Sequence, residues 1–164
     1  MLLFKFLAIV SVLALLANCG FSPLHKQNNA NHHSVLNLQK VVIAPIPERI
    51  GQLLRIELFN QLTPYGAPDA PSYSLNISIS ETSRNLGVRK DTTETRTDLI
   101  VKASFKLIEL STKKVVFVGS ARSVISYNIL DADFATMSVM TDAKKRAAKD
   151  LATEIRSRLS VIRN

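Results

Sequence analysis

Hydrophobic and polar residues alternate strictly over residues 73–80, where every second position is apolar and the positions between them are Ser or Asn. A period of two places successive side chains on opposite faces of a β-strand, so this segment predicts a strand with one buried and one solvated face. The alternation returns over residues 99–107 and, less cleanly, over 115–127. A polar connection over 84–97 and a tight turn over 111–114 join these segments, which indicates a three-stranded meander.

Two other segments carry apolar residues at helical spacing. The first, residues 48–62, follows Pro47, which suits a first helical turn, and ends before Pro64. The second is a long final helix that either Asp131 or Asp133 can cap. Its apolar stripe comprises Met140, Ala147, Leu151, Ala152, Ile155, Leu159 and Ile162.

A further strand is predicted over residues 36–44, which are rich in β-branched side chains and end at Pro45. This strand reaches the next one through a helix, so it can run parallel to a neighbour. The element order is therefore β-α-β-β-β-α. Its simplest packing is an α+β two-layer sandwich, in which a four-stranded mixed sheet carries both helices on one face.

The N-terminus carries Lys5 followed by an uninterrupted apolar run over residues 6–17. A helix that spans a bilayer needs about 20 apolar residues. The shorter run matches instead the hydrophobic region of a secretory signal. A buried core helix is the alternative, but no helix caps flank the run. Residues 1–18 are therefore predicted to be a signal peptide.

The single cysteine, Cys19, follows Leu16, Ala17 and Asn18 in a pattern that resembles the lipobox of bacterial lipoproteins. Asn18 departs from that pattern, because Gly, Ala or Ser normally precedes the cysteine. The alternative is a free thiol near an ordinary cleavage site, which would invite stray intermolecular disulfides in an oxidising compartment. We expect a lipoprotein signal, with a diacylglycerol and an N-acyl chain on Cys19 as the membrane anchor and no other cofactor.

The mature chain divides into a tether and one domain. Residues 26–34 are polar and lack periodicity, so residues 19–34 are predicted to be a lipid-anchored flexible tether, and residues 35–164 are predicted to form the α+β domain. His32 and His33 in the tether have no third ligand nearby, so we expect no metal site. Gly20 differs from the Asp that retains lipoproteins in the inner membrane of enteric bacteria. That sorting rule favours the periplasmic side of the outer membrane.

The net charge and the absence of catalytic motifs exclude some classes of function. There are 21 Lys and Arg against 13 Asp and Glu, a net charge of +8, and loss of Lys5 with the signal leaves +7. This excess predicts an anionic partner, but not nucleic acid, because a secretory signal leads to a compartment without it. The sequence contains no Gly-rich phosphate loop, no HExxH and no nucleophile elbow, and its domain has no histidine to act as a base. We therefore expect neither catalytic residues nor enzymatic activity.

Two basic clusters are candidate binding surfaces. One lies at the protruding connection over 84–97 and consists of Arg84, Arg89, Lys90 and Arg96. Lipopolysaccharide is the polyanion of an outer membrane, and its phosphates suit these donors, so the four are candidate contacts to it. The other cluster is on the final helix and consists of Lys144, Lys145, Arg146 and Lys149. Asp142 and Asp150 can pair with it, which predicts a solvated face.

The opening of the mature chain, Cys-Gly-Phe-Ser-Pro-Leu-His over residues 19–25, resembles the Cys-Gly-Phe-x-Pro-Leu-Tyr opening of the LPS-assembly lipoprotein LptE family. The element order is similar to that of the family. So is the C-terminal stretch with Ser126-Tyr127, Asp142-Ala143, Arg146-Ala147 and Leu151-Ala152. The resemblance covers essentially the whole chain.

This resemblance implies a non-enzymatic role. Members of the family plug the outer-membrane β-barrel LptD, assist its folding, and bind lipopolysaccharide during delivery to the cell surface. A polar strand face with Ser74, Asn76, Ser78 and Ser80 suits a polar barrel lumen. Two alternatives remain open: an accessory lipoprotein of a phospholipid-trafficking ABC transport system, and a periplasmic enzyme without a recognisable motif.

Overall fold

The computed structural model describes residues 36–86, 95–130 and 132–162. The elements in these ranges confirm the predicted order β-α-β-β-β-α. The strands are β1 (Val41–Ile43), β2 (Tyr73–Asn85), β3 (Thr95–Glu109) and β4 (Val115–Ile129), and the helices are α1 (Glu48–Leu62) and α2 (Asp133–Ser160). The predicted signal, Cys19 and the tether lie outside the described residues, as do Arg89, Lys90 and Asp131.

The four strands form one sheet in the order β1-β2-β3-β4. β1 runs parallel to β2, whereas β2, β3 and β4 form an antiparallel meander, so the sheet is mixed as predicted. The registers place Leu75 beside Leu107 and Leu107 beside Phe117. Because side chains alternate along each strand, these apolar residues share one face of the sheet.

Both helices cover this apolar face, which confirms the two-layer α+β sandwich. α1 contributes an apolar stripe of Ile50, Leu54, Leu58 and Leu62, and α2 contributes Leu151, Ile155 and Leu159 together with small alanines. Alanines at the contact allow close approach of the helices and the sheet. In the described ranges, no helix combines the length and the apolar character needed to cross a membrane.

The first strand is shorter than predicted. The side chain of Asn37 accepts a hydrogen bond from the backbone N–H of Gln39 at 3.1 Å, and residues Leu38–Lys40 form a 3₁₀ turn. Asn competes for local backbone groups in this way and so favours turns over strands. β1 therefore begins only at Val41, which pairs with Tyr73 on β2.

The strands next to the first hairpin are longer than predicted. β2 reaches Asn85 and β3 begins at Thr95, so Arg84 and Arg96 belong to strands and not to a connecting loop. The Thr97 hydroxyl donates to the Asn85 side chain at 2.9 Å, and these residues face each other across the ladder. Polar cross-strand pairs thus continue the sheet where hydrophobic alternation has ended.

The start of the final helix also differs from prediction. Ala132 occupies the N-cap position without a side-chain hydrogen bond, and Asp133 is the first helical residue, so Asp133 is not the cap. The Thr136 hydroxyl instead bonds both the backbone N–H and the carbonyl of Leu130, each at 3.0 Å. These bonds fix the connection between β4 and α2.

Candidate functional site

The sheet has a second face that the helices do not cover, and we call it the open face. It consists of the exposed side chains of Asn76, Ser78, Ser80, Lys102, Ser104, Lys106, Val118, Ser120, Arg122, Val124 and Asn128, and it continues to Arg84, Arg96, Asp98 and Ser126. The register also places exposed Thr82 and half-buried Ile100 on this face, which is polar or charged apart from Ile100 and its valines. The predicted polar strand face of β2 is therefore part of a larger surface over three strands.

Where the open face reaches the hairpin between β2 and β3, Asp98 lies at the centre of a polar network. Ser126 donates to Asp98 Oδ1 at 2.6 Å, and Arg84 Nη2 lies 3.3 Å from Oδ2. Arg96 is exposed two residues before Asp98 on β3. The carboxylate is buried, with 8% of its side chain exposed, whereas the Arg84 side chain is 64% exposed. Asp98 thus holds Arg84 in place while most of the Arg84 side chain remains accessible to a ligand.

The environment of Asp98 favours its ionised form. The hydrogen bond from Ser126 is the largest cause that lowers the pKa of this carboxyl, and the hydrogen bond and charge of Arg84 and the charge of Arg96 lower it further. Burial opposes these effects but does not outweigh them. A permanent negative charge therefore lies beneath the two arginines at neutral pH.

This network predicts a pH-dependent stability. The folded-state pKa of Asp98 lies below its unfolded value, which is about 3.9. The ionised carboxylate therefore stabilises the fold above that pH, and the contribution is lost as the pH falls through the folded-state pKa. We expect the gap in urea midpoint between wild type and Asp98→Asn to be constant above about pH 5 and to shrink below about pH 4.

The control for this experiment is Asp142→Asn, which breaks an exposed ion pair with Arg146 within one helix turn. Exposed pairs of this kind contribute little, so its gap to wild type is expected to be small at every pH. An Asp98→Asn gap that stays unchanged down to about pH 3 would contradict the lowered pKa.

Exposed apolar side chains lie at the same end of the domain as Arg84 and Arg96. Leu86 extends β2, Leu130 follows β4, and Phe134 and Met137 begin α2. Phe134 is 89% exposed and Met137 is 61% exposed. The sequence analysis did not identify this group: Phe134 and Met137 are spaced at i and i+3 and precede the apolar stripe of the helix, but this spacing does not show whether they are exposed. The hairpin end, defined as Arg84, Arg96, Leu86, Leu130, Phe134 and Met137, therefore combines cations with exposed apolar surface.

The basic cluster on α2 is partly tied to acidic neighbours. Lys144 pairs with Glu81 on β2 at 2.8 Å, and Arg146 pairs with Asp142 at 2.8 Å. Asp150 accepts a hydrogen bond from Ser123 on β4 at 3.1 Å. The predicted pairing with Asp142 is therefore present for Arg146, whereas Asp150 links the helix to the sheet.

Leu36, the first described residue, lies at the end of the domain opposite the hairpin. The backbone N–H of Leu36 donates to the carbonyl of Ile162 at 3.4 Å, next to the end of α2. An apolar groove of about 510 Å³ lies here between Phe117 on β4 and Val161 and Ile162. The described ranges contain no cluster of His, Cys, Asp and Glu that could hold a metal ion.

The comparisons with known proteins give a distant relative. No model of a known protein family matches the chain. An uncharacterized protein of Rickettsia prowazekii is 24% identical over 155 residues, which cover 94% of each chain.

Solved structures of bacterial lipoproteins are similar in fold. A candidate lipoprotein from Caulobacter crescentus aligns with a TM-score of 0.65 at 22% identity, covering 76% of this chain and 90% of its own. Lipoprotein B from Nitrosomonas europaea aligns with a TM-score of 0.54 at 17% identity, covering 73% and 81%. A minor lipoprotein from Acinetobacter baumannii aligns with a TM-score of 0.52 at 17% identity, covering 75% and 94%. The domain therefore has a fold that is found in bacterial lipoproteins.

Proposed function

We propose that the protein is an outer-membrane lipoprotein that plugs and assists the assembly of the LPS translocon β-barrel LptD and takes part in the delivery of lipopolysaccharide to the cell surface. The observation that carries this proposal is the hairpin end, where exposed cations and exposed apolar side chains lie at the same end of a domain whose fold is found in bacterial lipoproteins. Lipopolysaccharide has the matching chemistry, because it combines phosphates with acyl chains.

In this role, the arginines of the hairpin end bind the anionic sugar-phosphate. Arg84 and Arg96 lie on the same face of the sheet, and Arg89 and Lys90 in the intervening connection are further candidate contacts. Guanidinium groups form charge-assisted, often bidentate hydrogen bonds to phosphate. Phe134 and Met137 offer exposed apolar surface for acyl chains at the same end of the domain.

The open face serves the plug role. The lumen of a large outer-membrane barrel is polar. A sheet face on which Ser, Asn, Lys and Arg predominate, with Val118 and Val124 among them, can form polar contacts with such a lumen. The helices on the opposite side bury the apolar face within the domain itself.

Co-purification and depletion test the proposed function. We expect the protein extracted in mild detergent to bring a large outer-membrane β-barrel with it, and its depletion to reduce surface lipopolysaccharide. Extraction without a barrel, together with unchanged surface lipopolysaccharide after depletion, would refute the proposal. A complex with inner-membrane transporter components instead would favour the phospholipid-trafficking alternative.

A paired substitution tests the ligand contacts. We expect Arg84→Gln with Arg96→Gln to weaken binding of purified lipopolysaccharide by about tenfold or more, because a hydrogen bond to a charged group contributes about 1.5–3 kcal/mol. Isothermal titration calorimetry measures the affinity. The matched control is Lys145→Gln with Lys149→Gln, which removes the same charge from the exposed side of α2. Equal losses in both variants would indicate a general charge effect and not a site.

A further inference from the structure

Three cations occupy the middle of the open face. Lys102 on β3 and Arg122 on β4 are directly opposite each other in the register, and Lys106 lies four residues further along β3 on the same face. Side chains directly opposite across a ladder have Cβ atoms about 5 Å apart. Lys106 is about 13 Å from Lys102 along the strand. The three side chains therefore form a compact basic surface at the centre of the sheet.

This basic surface has no acidic partner for its side chains among the described residues; Glu154 bonds only the backbone N–H of Arg122, at 3.2 Å, and pairs with Arg158. Among the described residues of β2, β3 and β4, the open face carries one acidic side chain, Asp98, and that carboxylate already bonds Arg84 and Ser126. Lys102, Lys106 and Arg122 make no ion pair with any described residue. Like charges directly opposite across strands are destabilising. An external anionic group would remove this repulsion.

The shape of the open face favours a protein surface over a small ligand. A cavity of about 210 Å³ lies between Lys106 and Val118, with Ser78 and Ser104 among its lining residues. Pockets for small molecules usually enclose about 300–1,000 Å³. The smaller cavity suits one inserted side chain of a flat partner, and Lys106 among its lining residues suits a carboxylate.

We propose that the open face docks on a carboxylate-rich protein wall, with Lys102, Lys106 and Arg122 as its ionic contacts. One partner Asp or Glu enters the cavity beside Lys106, and others neutralise the opposed pair of Lys102 and Arg122. This inference rests on the proposed function, in which the wall belongs to the lumen of the barrel. It adds the chemistry that the lumen presents to the sheet.

Charge reversal tests this docking surface. We expect Lys102→Glu, Lys106→Glu and Arg122→Glu together to reduce the amount of barrel that co-purifies with the full-length lipoprotein by about tenfold or more. The three residues are exposed, so the variant is expected to keep its circular dichroism spectrum. The control is Lys145→Glu, Lys149→Glu and Arg156→Glu, which changes the same number of Lys and Arg residues on the exposed side of α2. This control is expected to retain the barrel.

The outcomes separate this inference from the proposed function. If wild type recovers the barrel and both variants recover it equally, the docking inference is wrong and the proposed function stands. Equal losses in the two variants would also overturn it, because net charge would then explain the effect. A selective loss of lipopolysaccharide binding with the barrel retained would assign the face to glycolipid and contradict the proposal. Failure of wild type to recover any barrel would overturn both proposals.

Discussion

Replacing Phe105 by Ala is expected to lower the free energy of unfolding by about 3–5 kcal/mol, the usual cost of removing a buried aromatic side chain. Phe105 on β3 is 1% exposed. Its ring contacts Phe117, with ring centroids 6.0 Å apart, and covers Gly119 on the neighbouring strand. Equilibrium urea denaturation, with the midpoint and slope fitted together, measures the loss.

The contact between Phe105 and Gly119 also predicts that the effect of Gly119→Ala on the free energy of unfolding depends on whether the Phe105 ring is present. A Cβ added at Gly119 would lie 2.6 Å from Phe105 Cζ and 3.0 Å from Phe117 Cε1. In the wild-type background, Gly119→Ala is therefore expected to destabilise the domain by about 1–3 kcal/mol through overpacking. In the Phe105→Ala background the Phe117 ring can shift into the space left by the Phe105 ring, and the substitution is expected to be neutral or to stabilise by up to about 1 kcal/mol.

A double-mutant cycle measures this coupling. The expected coupling between Phe105 and Gly119 is about 1–3 kcal/mol, because the two residues are direct cross-strand neighbours. Gly66→Ala is a suitable comparison, since Gly66 has φ +108 and no atom within 4 Å of an added Cβ. That substitution is expected to destabilise the domain through backbone strain alone, equally in both backgrounds. Additive effects of Phe105→Ala and Gly119→Ala would contradict the packing described for this pair.

Replacing Cys19 by Ala is expected to abolish binding of the purified protein to liposomes. Each acyl chain contributes about 0.8 kcal/mol per buried CH₂, so loss of all chains removes the stable anchor. Liposome sedimentation measures the bound fraction, and mass spectrometry of the mature N-terminus measures the modification. Purified protein is required, because a barrel partner would retain the variant at the membrane in cells.

The anchor prediction has a direct control at Asn18. Because a small residue normally precedes the lipidated cysteine, Asn18→Ala is expected to preserve or increase the lipidated fraction. An unmodified Cys19 thiol in the wild-type mature protein would contradict the lipoprotein assignment. Equal sedimentation of wild type and Cys19→Ala would show that the domain binds lipid without the anchor.

The hydrophobic pattern of the sequence was sufficient to predict most of the fold. The helical spacing of α1 predicted its bounds, Glu48–Leu62, because its apolar stripe and the following prolines are local signals. The alternation along β2 and β3 likewise predicted which residues face the core. The ends of these strands were not predictable, since Arg84 pairs with Asp98 in a polar ladder that shows no alternation.

The candidate site was harder to predict from the sequence than the fold. A basic residue such as Lys102 alternates with apolar neighbours in an ordinary way, and only the register of β3 with β4 shows that it is opposite Arg122. The pattern also cannot distinguish an exposed Phe134 from a buried one, because burial depends on what packs against the start of α2. Such cross-strand and end-of-domain relationships require the three-dimensional structure.

The length of the sheet sets the distance between the hairpin end and the opposite end of the domain. β3 has 15 residues and so extends about 50 Å. A bilayer including its headgroups is about 40–45 Å thick. Leu36, the first described residue, lies beside Ile162, at the end of the sheet opposite Arg84 and Arg96. In the proposed barrel, a domain with its strands along the membrane normal and Leu36 toward the periplasm would therefore be long enough to bring these arginines toward the outer leaflet, where lipopolysaccharide resides.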